Sequence, residues 1–378
     1  AGDVIGFADL HKHGSNIPKV AIDPKNDLIA LPYSSGTTGR SKGVMLTHHS
    51  LAANLAQARA SGMMSEEDVV LGVLPFFHIY GQVLIMNLGL YVGATIVTMM
   101  RFELEPYLKA LQDFKITVAP QVPPILLAMA KHPVVSNYKL SALKRILTGA
   151  APVAEATMKA CMERLNCKVL QGYGMTEASG ATHMHLIDSP IEKLNSVGVC
   201  VRNSETMIVD VASGKPLGPN EQGEVWTRGP NIMRGYLNRP EETAACLDAE
   251  GWYHTGDIGY MDADGYLYIV DRLKELIKYS GYQVAPAELE AVLVAHPAIA
   301  DAAVVPSPDE EHGEVPKAFV VKKSEVSAEQ IMAYVAERVA PYKKIRLLEF
   351  VDQIPKSPSG KILRRVLVEK ERAAKPRA

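Results

Sequence analysis

Short apolar runs alternate with longer helical ones through the first part of this chain. Residues 28–31, 116–119, 145–147 and 168–170 read as strands, and residues 46–55, 125–131 and 154–165 as helices. Such alternation predicts a mainly parallel sheet covered by helices. From residue 198 to 270 the texture changes. Strand-like runs at 206–211, 223–228 and 266–270 are separated by Gly, Pro, Asn and Asp turns, which predicts an antiparallel sheet or a small barrel. The charged run Asp271-Arg272-Leu273-Lys274-Glu275 breaks the pattern again. A helix over 286–296 with Pro near its first turn follows, then strands at 302–305 and 318–321 and a helix at 328–339. That last section is about the size of a small α+β domain.

Residues 69–100 contain no Asp, Glu, Lys or Arg, long enough to raise the question of a membrane span. Pro75, His78, Gly81, Asn87, Gly89 and Gly93 interrupt the stretch. It reads better as a buried strand (69–74), a loop (75–78), a helix (80–90) and a second buried strand (94–99). A formal net charge of -2 argues against non-specific nucleic-acid binding, which needs a basic face. The four cysteines form no C-x-x-C pair, so they are expected to be reduced thiols in a cytoplasmic protein. His11/His13 and His183/His185 lack a partner cysteine or HExxH context and read as solvated or structural histidines.

The chemistry concentrates in Ser34-Ser35-Gly36-Thr37-Thr38-Gly39-Arg40-Ser41-Lys42-Gly43. Five hydroxyls, three glycines and one lysine fall within ten residues. Hydroxyls, bare amides and a mobile cation suit a loop that wraps a polyphosphate. The spacing is not that of a P-loop, because Lys42 follows Ser41 and precedes Gly43. The best Rossmann candidate, Gly172-Tyr173-Gly174-Met175-Thr176-Glu177, ends in Glu. With a strand leading in and a helix leading out, the loop is expected to form an amide nest.

Seven blocks together resemble one family. They are the loop at 34–43; Leu74-Pro75-Phe76-Phe77-His78-Ile79-Tyr80-Gly81; Gly149-Ala150-Ala151-Pro152; Gln171-Gly172-Tyr173-Gly174-Met175-Thr176-Glu177; Tyr253-His254-Thr255-Gly256-Asp257; the block from Asp271 to Lys278; and a final block holding Ser359-Gly360-Lys361. In this order they resemble the adenylate-forming superfamily of acyl-CoA synthetases and firefly luciferase, with wording closest to 4-coumarate–CoA ligase-like enzymes. The resemblance implies an α/β fold. A partial large adenylation domain of parallel-rich sheets, helices and a small β-barrel-like part would span 1–270. A smaller, mobile α+β C-terminal domain would span 271–378, with Asp271 as hinge. Relatives carry a further segment ahead of the phosphate loop, where about thirty residues stand here, so some sheet faces are expected to be uncovered. Relatives often have a Pro where Arg40-Ser41 stands, and many have Lys at Ser280.

The implied activity is ATP-dependent: a carboxylate attacks the α-phosphate, pyrophosphate leaves, and the thiol of coenzyme A then displaces AMP. By resemblance, Ser34, Ser35, Gly36, Thr37, Thr38, Gly39 and Lys42 hold the β- and γ-phosphates. Thr176 binds the α-phosphate and Glu177 holds Mg2+. Asp257 and Arg272 grip the ribose. Gly149, Ala150, Ala151, Pro152, Gln171, Gly172, Tyr173 and Gly174 enclose the base. Lys361 neutralises the reacting anions, with Gln283 nearby; Lys278, Ser280 and Gly281 serve thiolation. His78, Ile79, Tyr80, Leu84, Val122, Leu147, Ala150, Gly172, Gly174, Gly180 and Ala181 build the acyl pocket. Without a charged partner for a second carboxylate, that pocket predicts an apolar monocarboxylate, an aryl acid such as 4-coumarate or else a medium-chain fatty acid. A luciferase-like oxygenase, a carrier-protein adenylation domain and a non-catalytic nucleotide-binding fold are the alternatives. The expected partners are small molecules only, with no stable membrane insertion, in a monomer or homodimer.

Overall fold

A computed structural model of the protein describes residues 19–34, 41–357 and 360–374. Strand β1 (Leu28–Ala30) and the short β2 (Tyr33–Ser34) both pair antiparallel with β3 (Lys42–Thr47). The glycine-rich loop therefore joins two strands of a hairpin, where the sequence pattern suggested strand to helix. Val44 and Leu46 are fully buried, an alternation that fits a strand. Helix α1 (His48–Arg59) begins only at His48. There the Thr47 hydroxyl accepts from the Ser50 amide and the Ser50 hydroxyl from the Thr47 amide, both at 3.1 Å, a capping box. Ser35, Gly36, Thr37, Thr38 and Gly39 lie outside the described residues.

The central sheet collects β4 (Val69–Gly72), β5 (Thr95–Thr98), β6 (Val118–Gln121), β7 (Arg145–Thr148), β8 (Lys168–Met175), β9 (Gly180–Met184) and β10 (Val199–Cys200) in the order β10-β9-β8-β7-β6-β4-β5. Strands β4 to β8 run parallel; β9 and β10 are antiparallel. Between them run a π-helix (Tyr80–Asn87), α2 (Leu88–Val92), α3 (Leu104–Asp113), α4 (Pro123–Lys131) and α5 (Glu155–Leu165). Val70, Leu71, Val118, Ala119 and Ile146 are fully buried. Strands covered on both faces read as continuous apolar runs, which accounts for the charge-free stretch. Among the described residues no helix is long and apolar enough to cross a membrane. Leu90, Tyr91 and Met100, around β5 at the sheet edge, are exposed.

Next come β11 (Glu205–Val209), β12 (Gly223–Arg228), β13 (Gly235–Tyr236), α6 (Pro240–Ala244), β14 (Tyr253–Met261) and β15 (Leu267–Arg272). Strand β13 joins β3. The other four strands form an open antiparallel sheet, β11-β12-β14-β15. The barrel-like part expected from the sequence is thus this open sheet. Its outer strands β11 and β15 do not pair, and four strands are few for closure.

The final unit contains β16 (Ile277–Tyr279), β17 (Tyr282–Val284), α7 (Pro286–Ala295), β18 (Ile299–Asp309), β19 (Gly313–Lys322), α8 (Ala328–Ala336), β20 (Leu347–Phe350) and α9 (Arg364–Ala374). Its five-stranded sheet is apolar on both faces. Ala302, Val304, Ala318 and Val320 pack with Leu289, Leu293, Ile331 and Val335 of α7 and α8. The alternate residues Ala303, Val305 and Phe319 pack with Leu367 of α9. Asp271 lies in β15, buried, and accepts hydrogen bonds from the Arg272 amide and, at 2.8 Å, from the Ala287 amide in the first turn of α7. One carboxylate thus ties the open sheet to the C-terminal unit.

Candidate active site

A cavity of about 580 Å³ opens at the carboxyl ends of the central parallel strands, where ligands bind in open α/β sheets. Pro75, His78, Ile79 and Tyr80 enter from the connection after β4, and Thr148, Gly149 and Ala150 follow β7. Strand β8 contributes its second half. It pairs in parallel with β7 up to Gln171 and then antiparallel with β9 from Gly172, so Gly172, Tyr173, Gly174 and Met175 sit where the pairing changes sense.

One wall is apolar. Tyr80, Leu84 and Leu88 all face the cavity, and spacing by four is close to one turn of the π-helix that carries the first two. Met63, Leu170, Ala181 and Met184 complete that wall. The Tyr80 hydroxyl donates to the Leu147 carbonyl at 2.9 Å, which fixes its ring. Asn54 of α1 holds the opposite side. Its amide donates to the Ala181 carbonyl at 2.7 Å and its Oδ1 accepts from the Ala181 amide at 3.1 Å. Gly174 is required by the backbone, since a Cβ there would stand 1.9 Å from the Gly180 carbonyl oxygen.

The other wall is charged. Asp257 and Arg272 face each other across β14 and β15, with Nε 3.2 Å from Oδ1. The Tyr173 hydroxyl donates to the second carboxylate oxygen of Asp257. Burial pushes the Asp257 carboxyl above its ordinary value while Arg272 opposes the shift. Lys361 reaches this wall from the C-terminal unit. Its turn is closed by the Ser357 amide donating to the Lys361 carbonyl at 2.8 Å. Arg364 pins the same segment, donating to Glu275 and to Glu290 at 2.5 and 2.6 Å. Burial, then the charge of Arg272, lowers the Lys361 ammonium to about 8. Burial, then Lys361, keeps His78 below the ordinary histidine value. Two cations beside a neutral imidazole form a site for anions.

Ser34, Lys42, Thr176 and Glu177 line the same cavity. Among the described residues no group of three His, Cys, Asp or Glu side chains could hold a metal by itself. Glu177 has one oxygen accepting from the Tyr236 hydroxyl at 2.9 Å. A single carboxylate is the donor set Mg2+ uses when phosphate oxygens and water supply the rest, so the residues fit that ion.

Several expected residues lie elsewhere. Val122 is buried and packs beneath Gly360; Ala151 and Pro152 lie beyond the lining. Lys278 and Gln283 are exposed and stand opposite each other across the β16–β17 hairpin. Ser280 and Gly281 both have positive φ, 47° and 85°, the type I′ geometry of a two-residue turn. Other lining residues gave no sequence signal of their own. Thr148 has a buried hydroxyl without a hydrogen-bond partner, Met63 and Met184 come from distant segments, and Tyr236 sits on a two-residue strand.

The family model for AMP-binding enzymes matches residues 5–237, and that for the AMP-binding enzyme C-terminal domain matches 288–361. A 4-coumarate–CoA ligase of Pinus taeda is 51% identical over 359 residues, covering 93% of this chain and 66% of the relative. The chain thus spans about two thirds of that relative's length. The crystal structure of ATP-bound MatB from Rhodopseudomonas palustris superposes with a TM-score of 0.87 at 28% identity, covering 94% of this chain and 70% of that one; the apo form of MatB gives 0.72, at 28% identity, 94% and 70%. The anthranilate CoA ligase AuaEII in complex with anthranoyl-AMP gives 0.83 at 28% identity, covering 93% and 68%. By sequence match over most of its length and by architecture, this chain belongs to the AMP-binding enzyme family.

Proposed function

We propose that the protein is an ATP-dependent carboxylate–CoA ligase that activates aryl monocarboxylates such as 4-coumarate. The observation that carries this reading is the Lys361 ammonium sharing one cavity with the Asp257–Arg272 pair and an apolar wall. An unactivated carboxylate has no leaving group better than oxide. Bringing it to the α-phosphate of ATP means holding two anions together, which positioned cations make possible. Lys361 neutralises the carboxylate and the α-phosphate as the new P–O bond forms and pyrophosphate departs. Thr176 binds the α-phosphate, Asp257 and Arg272 the ribose hydroxyls, and Ser34, Lys42 and the loop between them the outer phosphates. Mg2+ held by Glu177 would neutralise charge on the phosphate oxygens. His78 and Tyr80 flank the entry of the acid, whose ring lies against Leu84, Leu88 and Met184.

In the second step the thiol sulfur of coenzyme A attacks the acyl carbon and AMP leaves. Lys361 closes the charged wall, while Lys278, Ser280 and Gly281 face solvent, so this step calls for a turn of the C-terminal unit about Asp271. The better superposition on the ATP-bound form of MatB than on its apo form supports an arrangement suited to the first step. Two of the cysteines, Cys161 and Cys167, are free and buried, in keeping with a reducing cytoplasmic setting. The two steps are measured apart, as pyrophosphate release on mixing ATP with acid and as thioester formation from supplied acyl-adenylate. Lys361→Ala slows the first and spares the second; Lys278→Ala does the reverse. Equal loss of both steps in each variant contradicts the proposal, and 4-coumarate turning over no faster than octanoate removes the aryl assignment.

A further inference from the structure

We propose that Glu242 is the resident counter-ion of Lys42, the carboxylate against which the outer phosphates of a nucleoside triphosphate compete for the ammonium. It thereby sets how strongly the site prefers a triphosphate to a monophosphate. The inference rests on the nucleotide reading above. Lys42 opens β3, and its ammonium lies 3.1 Å from the Glu242 Oε2 and 4.4 Å from the centroid of the Tyr236 ring. Tyr236 is buried on β13, its neighbour Val44 lying directly across on β3, and its hydroxyl donates to Glu177. One aromatic side chain therefore carries a cation on its face and a carboxylate at its tip. Glu242 comes from α6, and its Oε1 accepts from Arg239 at 3.2 Å.

Lys42, Tyr236 and Glu177 line the cavity, and Glu242 is not part of that lining. The carboxylate thus pairs with the ammonium from outside the lining. A lysine ammonium has three donors, so the ring and the carboxylate leave part of it facing the cavity. An arriving polyphosphate gains the cation but meets the negative charge of Glu242, 3.1 Å from the same ammonium. A monophosphate held at the Thr176 and Asp257 end meets much less of that charge. Because the pair is partly exposed, 17% for Lys42 and 36% for Glu242, the effect is moderate and sensitive to salt.

The test uses the whole chain and two independent readouts. Titration calorimetry with ATP and with AMP compares wild type, Glu242→Gln, Lys42→Met and the double variant. Glu242→Gln is expected to tighten ATP about three- to tenfold at low ionic strength and to leave AMP unchanged. The gain is expected to vanish in the Lys42→Met background and to shrink in 0.5 M salt. Mass-spectrometric acetylation needs no nucleotide. Freed of its partner, Lys42 is expected to label at least about threefold faster in Glu242→Gln, with Lys109 unchanged as control, and inorganic tripolyphosphate to suppress that gain. Equal shifts for ATP and AMP, no shift for either, a gain that persists without Lys42, or unaltered Lys42 labelling each overturns the assignment. Should no variant bind ATP, the nucleotide reading fails, and the labelling still decides the ion pair.

Discussion

The charge state of Lys361 makes anion binding depend on pH in a way that can be calculated. Its ammonium titrates at about 8, below the ordinary value of 10.5, because burial and the Arg272 charge disfavour the proton. That difference corresponds to roughly 3 kcal/mol; since the side chain keeps some contact with solvent, about 1–2 kcal/mol is the working figure. A bound phosphate reverses the penalty and restores the proton, so binding near pH 8 takes up about half a proton. The sign follows directly: the free site is charged below about 8 and neutral above it, so affinity falls as pH rises. From pH 7 to pH 9 the charged fraction drops from about nine-tenths to about one-tenth, which weakens AMP about tenfold. AMP itself is already dianionic there, its second ionisation lying near pH 6. Calorimetry in two buffers of different ionisation enthalpy measures both affinity and proton uptake. Lys361→Met is expected to bind AMP weakly with a flat profile. A flat profile in the wild type, or an equal slope in Lys361→Met, refutes the argument.

Three further outcomes follow from the same geometry. Asn54→Ala removes both hydrogen bonds to the Ala181 backbone in a fully buried setting, so unfolding in urea is expected to show a loss of about 2–4 kcal/mol; a loss under 0.5 kcal/mol would show that β9 needs no such tether. Arg364→Gln strands Glu275 and Glu290, and breaking so buried a pair costs about 3 kcal/mol. Burial already pushes Glu290 up to about 7, above its unfolded value, so its ionisation subtracts stability as pH rises through 7; the deficit of Arg364→Gln, followed by thermal melting, is expected to be larger at pH 8 than at pH 5. Leu84→Trp fills the apolar wall and is expected to raise KM for aryl acids at least about tenfold while leaving AMP affinity unchanged; a parallel loss of AMP binding would place Leu84 outside the acid's path.

Elements whose cause is local were legible in the sequence. The run at 223–228 is β12 to the residue, and the helix at 154–165 starts one residue late, because period-two and helical patterns arise from each segment's own burial. The helix placed at 46–55 was misread. Its first residues belong to β3, whose partners β1, β2 and β13 come from both sides in the chain. A strand paired to a segment almost two hundred residues away leaves little mark on its own composition. Helix α1 buries Ser50, Asn54 and Gln57 among its inward residues, so its inner face is partly polar and carries a weak amphipathic signal. Asn54 and Gln57 are inward because they bond β9 and the segment at 202–204, and Ser50 because it closes the cap with Thr47.

The site divides along the same line. Motif spelling marked Asp257, Arg272 and Lys361, yet what each can do is set by neighbours that its own motif does not contain. Asp257 is held between Tyr173 and Arg272. Lys361 holds its proton less firmly than an ordinary lysine because the fold buries it and, second, brings it under the field of Arg272. Tyr236, silent as sequence, connects the loop lysine to the candidate metal carboxylate. Side-chain identity sets which charges are available, and tertiary contact sets their protonation and reach. A lysine in a glycine turn is on its own a solvated cation; buried against the Asp257–Arg272 wall the same residue titrates at about 8 instead of 10.5, so an arriving anion draws the proton back onto it, and that exchange suits it to the proposed reaction between two anions.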